Sequence, residues 1–195
     1  VADSERIGEE IGGLTAPGAV FDSVAFEDCA FVKCVLTEAS FEHCALRDCR
    51  FRECDLSLLR VPGSAFAGCE LEDCKALGIN WTEARWAAAR LSVPLRFRRC
   101  DLSHSTFLGL DLREVPFYQC IVRDADFREA ILSGCSFEGS DLARSVFHEA
   151  DLSGADLSGA RDYSIDARRT TLKGARFSLP EALSLLGGLD VELVE

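Results

Sequence analysis

The sequence is poor in several things that would have narrowed its chemistry. It holds no methionine, two tryptophans, two tyrosines, five prolines and three histidines in 195 residues. The lack of methionine points to an initiator that has been removed or trimmed. His43, His104 and His148 lie far apart in sequence, so no histidine cluster suggests a metal site or an acid–base pair. No GxGxxG or GxxxxGK[ST] loop occurs, so no phosphate cradle is expected. No apolar run reaches the roughly 18 residues that a membrane-spanning helix needs, and the opening VADSERIGEEIGGL lacks the apolar core of a signal peptide. Basic residues are also scarce, 21 against 33 acids, for a formal charge of −12. Such a surface repels nucleic acid and anionic membrane. A soluble, cytoplasmic protein is expected, with no cofactor and no direct contact with nucleic acid or membrane.

What the sequence does hold is a period of five. From Phe97 a bulky apolar residue recurs at Leu102, Phe107, Leu112, Phe117, Val122 and so on to Leu157, thirteen times without a miss. Two residues before each stands a small or medium residue, such as Cys100, Ser105, Cys120, Ala125 or Cys135. Five fits neither the 3.6-residue helix nor the alternating strand. Residues two apart share one face of an extended segment. The remaining two residues, often Gly, Ser, Asp or Glu, suit a corner. Each unit is too small to bury its own inward pair, so the units must wind into coils that stack.

An earlier run with the same period starts at Phe21 and reaches Leu71, and all thirteen phenylalanines of the chain fall on bulky positions. Residues 1–18 lack the repeat and read as a lead-in or cap. The repeat spans 19–177, weakening over 76–96, where Trp81 and Trp86 are large for a narrow column and one extra residue is expected to enter as a bulge or short turn. A loop there, with Trp81, Trp86 and Arg96, is a candidate partner contact. All ten cysteines stand two residues before a centre of the five-residue phase, nine of them before a bulky residue and Cys74 before Ala76, a phase that no metal-binding pattern would respect, so they read as small buried hydrophobes. In 178–195 the chain changes character. Ser178 and Glu181 read as a capping box, Leu179, Ala182, Leu183 and Leu186 as an apolar helical stripe, and Leu189, Val191 and Leu193 as a short strand. This segment is expected to cover the open end and to pair with a second copy through Leu179, Leu183, Leu186, Val191 and Leu193.

Charge is uneven: −6 over residues 1–60, +2 over 61–100 and −8 over 101–195. Asp101, Asp111, Asp126, Asp141, Asp151 and Asp156 stand between the two inward positions of their units, so their carboxylates are expected to face solvent, with Asp124 at a corner beside them. With the interior filled at every coil, no concave pocket is expected, and no nucleophile–base–acid set is present. The chain is therefore not read as an enzyme.

The units CDLSH, SDLAR and ADLSG resemble the A(D/N)LXX motif of the pentapeptide-repeat proteins. FEDCAF, CDLSLLRVPGSAF, DCKALGINWTEARW, STFLGLDL and ARFSLPEALSLLGGLDVEL further resemble the topoisomerase-protecting branch: the Qnr-type, mycobacterial fluoroquinolone-resistance and albicidin self-resistance proteins. That resemblance implies an all-β fold, a right-handed quadrilateral β-helix of about eight coils, near 40 Å long at ~4.8 Å per coil. It stacks Cys29 on Cys49 and Cys69, and Cys34 on Cys54 and Cys74. It also implies a C-terminal capping helix and short strand that make a homodimer. The implied function is DNA mimicry: binding DNA gyrase or topoisomerase IV through an acidic surface, here Asp101, Asp111, Asp124, Asp126, Asp141, Asp151 and Asp156, with resistance to a topoisomerase poison. The residues alone also fit a structural or adaptor solenoid that binds another protein and has no topoisomerase role.

Overall fold

A coil of four short extended segments joined by four corners satisfies its backbone only by pairing with the coils above and below. The computed structural model, which describes residues 4–86 and 93–189, is built in this way. Four parallel ladders run along it. Face A starts with β1 (Ser4–Ile7), β4 (Val24–Glu27), β7 (Ala45–Arg47) and β9 (Ala65–Ala67). Face B is the longest sheet, β2 (Glu10–Gly12), β5 (Ala30–Val32), β8 (Arg50–Arg52), β10 (Cys69–Glu72), β11 (Leu95–Arg98) and β12 (Phe117–Tyr118). It continues through Ser136 to β13 (Asp156–Leu157) and β14 (Arg176–Phe177). Face C is a line of single bridges from Thr15 to Arg161. Face D begins with β3 (Val20–Asp22) and β6 (Ser40–Glu42), and its later bridges link Asn80, Thr106, Asp126 and Val146. The result is an all-β solenoid of about eight turns.

The core explains why Phe and Leu alternate in the second run. Units ten residues apart lie on opposite faces. Phe97, Phe117 and Phe137 stack on face B at centroid spacings of 5.1 and 4.9 Å. Phe107, Phe127 and Phe147 stack on face D at 4.8 and 5.2 Å. Across the column each ring meets the opposite stack edge-on, as Phe117 meets Phe127 at 5.8 Å and 88°. Both arrangements suit the quadrupole of the aromatic ring. Leu102, Leu112, Leu132 and Leu142 fill the other two sides and are fully buried.

The winding begins earlier than residue 19. Glu5 and Arg6 pair with Ala25 and Phe26, and Ile11 with Phe31, so residues 4–18 form the first coil rather than a lead-in. Polar residues such as Arg6 at the inward phase hid this coil from the apolar count.

Around the tryptophans the register changes by more than one residue. Leu71 pairs with Phe51 twenty residues back, whereas Phe97 pairs with Leu71 twenty-six back, so the coil carries six extra residues. Trp81, in the 3₁₀ turn Trp81–Glu83, is buried in the column, stacked on Phe107 at 6.2 Å and edge-on to Phe66 and Phe97 at 5.7 Å. Val61 on the coil before it and Ala76 on the unit before it are small, which leaves room for the indole. Trp86 is half-buried and donates its Nε1–H to the Trp81 carbonyl at 2.8 Å.

The C-terminal segment is a 3₁₀ helix, Glu181–Gly188, entered through a cis Leu179–Pro180 bond, and Ser178 and Glu181 do not form a capping box. The Ser178 hydroxyl accepts the N–H of Gly159 at 3.1 Å, and the Glu181 carboxylate accepts the N–H of Asp162 at 2.6 Å. Both side chains thus serve the last coil, whose exposed donors would otherwise lack partners. Leu185 packs on the core, while Leu179 and Leu183 are exposed at 77% and 46%. Val191 and Leu193 lie outside the described residues.

Candidate functional site

All ten cysteines are buried. Cys34, Cys54, Cys74, Cys100 and Cys120 make one column on face C, which Ser140 continues. Their role goes beyond filling space. The Cys54 thiol donates to the Phe31 carbonyl at 3.4 Å and accepts the Cys34 N–H at 3.4 Å. Ser140 repeats this, donating to the Phe117 carbonyl at 2.6 Å and accepting the Cys120 N–H at 2.9 Å. The thiol–thiol bond to the next cysteine, Cys100 for Cys74 and Cys120 for Cys100, together with burial, pushes the thiols of Cys74 and Cys100 up to about 12. They stay protonated at neutral pH and are poor nucleophiles. Among the described residues no group of three or more His, Cys, Asp or Glu is arranged to hold a metal.

The aspartates nominated from sequence do not form a bare acidic surface. An aspartate in the middle of its unit folds onto the following corner, where its Oδ1 accepts the N–H two residues on. Asp101 takes that of Ser103 at 3.1 Å, Asp126 that of Arg128 at 3.0 Å, Asp151 that of Ser153 and Asp156 that of Ser158, both at 2.9 Å. This local bond is a physical reason for Asp in the motif. Most of these carboxylates also meet a guanidinium. Asp111 pairs with Arg113, Asp124 with Arg144, Asp126 with Arg128 and Asp156 with Arg176, at 2.6 to 3.1 Å. Asp151 instead meets the Ser133 hydroxyl at 2.7 Å.

Asp141 departs furthest from the expectation that it faces solvent. It is 1% exposed, held by Arg123 at 2.6 Å and Arg161 at 2.9 Å, and accepts the Ala143 N–H. Stacking explains this. Arg161 is the residue bridged above Asp141 on face C, so neighbouring coils close over the carboxylate. The Arg123 hydrogen bond foremost, with the Ala143 N–H and Arg161 adding to it, holds the Asp141 carboxyl below the usual range. Arginine bonds do the same first for Asp124 and Asp126, and serine hydroxyls for Asp151 and Asp156.

The seven aspartates are spread over all four faces, and Asp124 and Asp141 share a network through Arg123 and Arg144. The acids that stand off the rod are others. Glu27, Asp28, Asp48, Glu114 and Glu129 are exposed at the two corners that bound face A. Among the described residues none of the five has an ion-pair partner within 4 Å. The sequence signal for them is their phase, one or two places after the bulky residue.

Of the expected partner loop, Trp81 is core, Trp86 is tied to it, and only Arg96, on β11, is exposed. A surface groove of about 340 Å³ also exists where no pocket was expected, lined by Val146, Phe147, His148, Ser164, Asp166 and Thr170, among others. It lies outside the filled column. Beside it, among the described residues, no bridge carries the face D ladder beyond Val146, and the Asp166 carbonyl instead accepts the Arg169 N–H in a turn. Among the described residues no helix is long and apolar enough to cross a membrane.

Comparison with known proteins agrees with this architecture. A family model described as a pentapeptide repeat region matches residues 24–107, and a second, pentapeptide repeats in eight copies, matches 120–159. No curated protein sequence matches the chain. Among solved structures, a trypsin-treated form of QnrB1, a plasmid-mediated fluoroquinolone resistance protein, is 20% identical and superposes with a TM-score of 0.68, covering 98% of each chain. A second trypsin-treated form is 21% identical with a TM-score of 0.53, covering 99% of this chain and 100% of the other. The full-length form is 19% identical with a TM-score of 0.50, covering 96% of this chain and 100% of the other. With repeat models taking in well over half of its length and a four-sided solenoid winding from Ser4 to Phe177, the chain belongs to the pentapeptide-repeat family.

Proposed function

We propose that this protein is a DNA mimic that binds a type II topoisomerase, DNA gyrase or topoisomerase IV, modulates supercoiling, and gives resistance to a poison of the albicidin or fluoroquinolone type. It acts without catalysis, in the cytoplasm, as a homodimer joined through its C-terminal segment. The observation that carries the reading is the end-to-end likeness, over 98% of both chains, to a protein named for fluoroquinolone resistance, combined with a net charge of −12 on a filled rod. An anionic rod competes for the cationic surface that binds DNA. The face it presents is face A, whose corners carry the exposed Glu27, Asp28, Asp48, Glu114 and Glu129, none of which has an ion-pair partner within 4 Å among the described residues. The cap leaves Leu179 and Leu183 exposed for a second copy.

One observation favours a second reading, an adaptor solenoid with no topoisomerase role. The mid-unit aspartates are bonded within the rod, so much of the acidity maintains the corners. Reversal of Glu27, Asp28 and Glu129 to Lys separates the two. A DNA mimic loses salt-sensitive binding to purified gyrase by tenfold or more. An adaptor shows no gyrase binding before or after reversal.

A further inference from the structure

The groove beside Val146 lies where the solenoid lacks a single rung. Along face D each bulky residue donates its N–H to the middle residue of the next coil, Phe107 to the Asp126 carbonyl at 2.8 Å and Phe127 to the Val146 carbonyl at 2.9 Å. Each middle residue donates back, Asp126 to the Ser105 carbonyl at 3.0 Å and Val146 to the Ala125 carbonyl at 2.9 Å. The next such pair would join the Phe147 N–H to the Asp166 carbonyl and the Asp166 N–H to the Ser145 carbonyl. Neither bond forms, and the Asp166 carbonyl accepts the Arg169 N–H at 3.0 Å. The coil is in register on both sides, Arg161 over Asp141 and Thr171 over Asp151, so one rung alone is lost.

The loss leaves two backbone groups at one groove. Ser145 and Phe147 are only 3% and 2% exposed, both line the groove of about 340 Å³, and among the described residues no group bonds the Ser145 carbonyl or the Phe147 N–H. Buried backbone donors and acceptors without partners are rare, because each costs as much as a lost hydrogen bond. Between the two, Val146 presents an apolar side chain that is 44% exposed. In a parallel ladder one residue bonds both neighbours of the residue it faces. The three features therefore match one extended residue, whose N–H meets the Ser145 carbonyl, whose C=O meets the Phe147 N–H, and whose side chain lies on Val146 as Val146 lies on Asp126. We propose that this groove binds one residue of a short extended peptide, flanked by an amide on each side and bearing a β-branched apolar side chain, in place of the missing rung. The rungs at Arg161 and Thr171 bound the gap, so it takes one residue and not a long added strand. The site is separate from the corners of face A and does not rest on the topoisomerase reading.

The test uses the isotope-labelled full chain and N-acetyl-valine N′-methylamide, read by amide NMR shifts. The Phe147 amide moves on titration and saturates with a Kd of about 1–5 mM, the weak range that two hydrogen bonds and one apolar contact support. Replacing the N–H of the ligand's valine by an ester oxygen weakens binding about fivefold or more. Val146→Asp also weakens it, and Asp126 at the same place one coil below shows that the fold accepts this residue. Unchanged thermal unfolding of Val146→Asp separates lost binding from lost folding. In the free protein the Phe147 amide exchanges with deuterium faster than the bonded amides of Phe107 and Phe127. The proposal is overturned if the ligand leaves the Phe147 amide unmoved, if the ester binds as tightly as the amide, if Val146→Asp binds as well as wild type, or if the free Phe147 amide exchanges as slowly as that of Phe127.

Discussion

At the scale of single residues, the five-residue motif is a set of distinct physical tasks. The bulky residue fills the column, so Phe127→Ala should cost about 3–5 kcal/mol in urea unfolding, the range for an aromatic removed from a close-packed core. The small inward residue fills space and also bonds backbone. Ser140→Ala removes a buried hydroxyl that both donates and accepts, at a cost of about 1–2 kcal/mol. The corner residue adopts positive φ, as at Gly68, held at +68° with the Asp48 carboxylate against the space a Cβ would fill. The mid-unit aspartate secures the corner, and Asp141 is its most buried case. Asp141→Ala should destabilise by about 2 kcal/mol, through lost charge-assisted bonds to arginines that can partly resolvate. The pH dependence follows from the lowered Asp141 pKa. Its stabilisation is complete above the unfolded carboxylate value, about 3.9, and is lost as pH falls through the lower folded value. The gap between wild type and Asp141→Ala should therefore be constant from neutral pH to about pH 5 and close in strong acid.

At the scale of elements, the period made the coils legible because a strand-and-corner unit has a single inward pattern, and every Phe obeys it. The first coil was not legible, because Arg6 stands where the pattern asks for an apolar residue and only pairing with Phe26 reveals its place. Nor could one sequence tell that Trp81 is core, since that depends on the space left by Val61 and Ala76. The candidate site was half-visible for the same kind of reason. Phase predicts which way a carboxylate leaves the backbone, but not that Arg161, twenty residues on, will close over Asp141. The cap illustrates the limit of local motifs. Ser178 and Glu181 have the spacing of a capping box, yet unpaired donors on Gly159 and Asp162 take both side chains. If the exposed Leu183 and the half-buried Leu186 of this element make the dimer, Leu183→Asp with Leu186→Asp gives a monomer by light scattering with the solenoid's circular dichroism intact. A persistent dimer places the interface elsewhere.

At the scale of the whole molecule, the rod is acidic in total but differentiated by face. Face A is bounded by exposed acids with no ion-pair partner within 4 Å among the described residues, face B mixes exposed arginines with acids, and face C hides its most central carboxylate. Mimicry of DNA, on this account, belongs to a few corner side chains on a stiff scaffold and not to the aspartates of the motif. The scaffold tolerates this because its stability comes from the column and the ladders, which exterior substitutions leave alone. The most direct test is a gyrase supercoiling assay with purified protein, run with and without a poison such as albicidin or a fluoroquinolone. The account predicts that micromolar wild-type protein slows supercoiling or relieves the poison, that Glu27→Lys/Asp28→Lys/Glu129→Lys does neither, and that Arg60→Glu behaves as wild type. No effect of the wild-type protein in either assay, or an undiminished effect of the triple reversal, would contradict it.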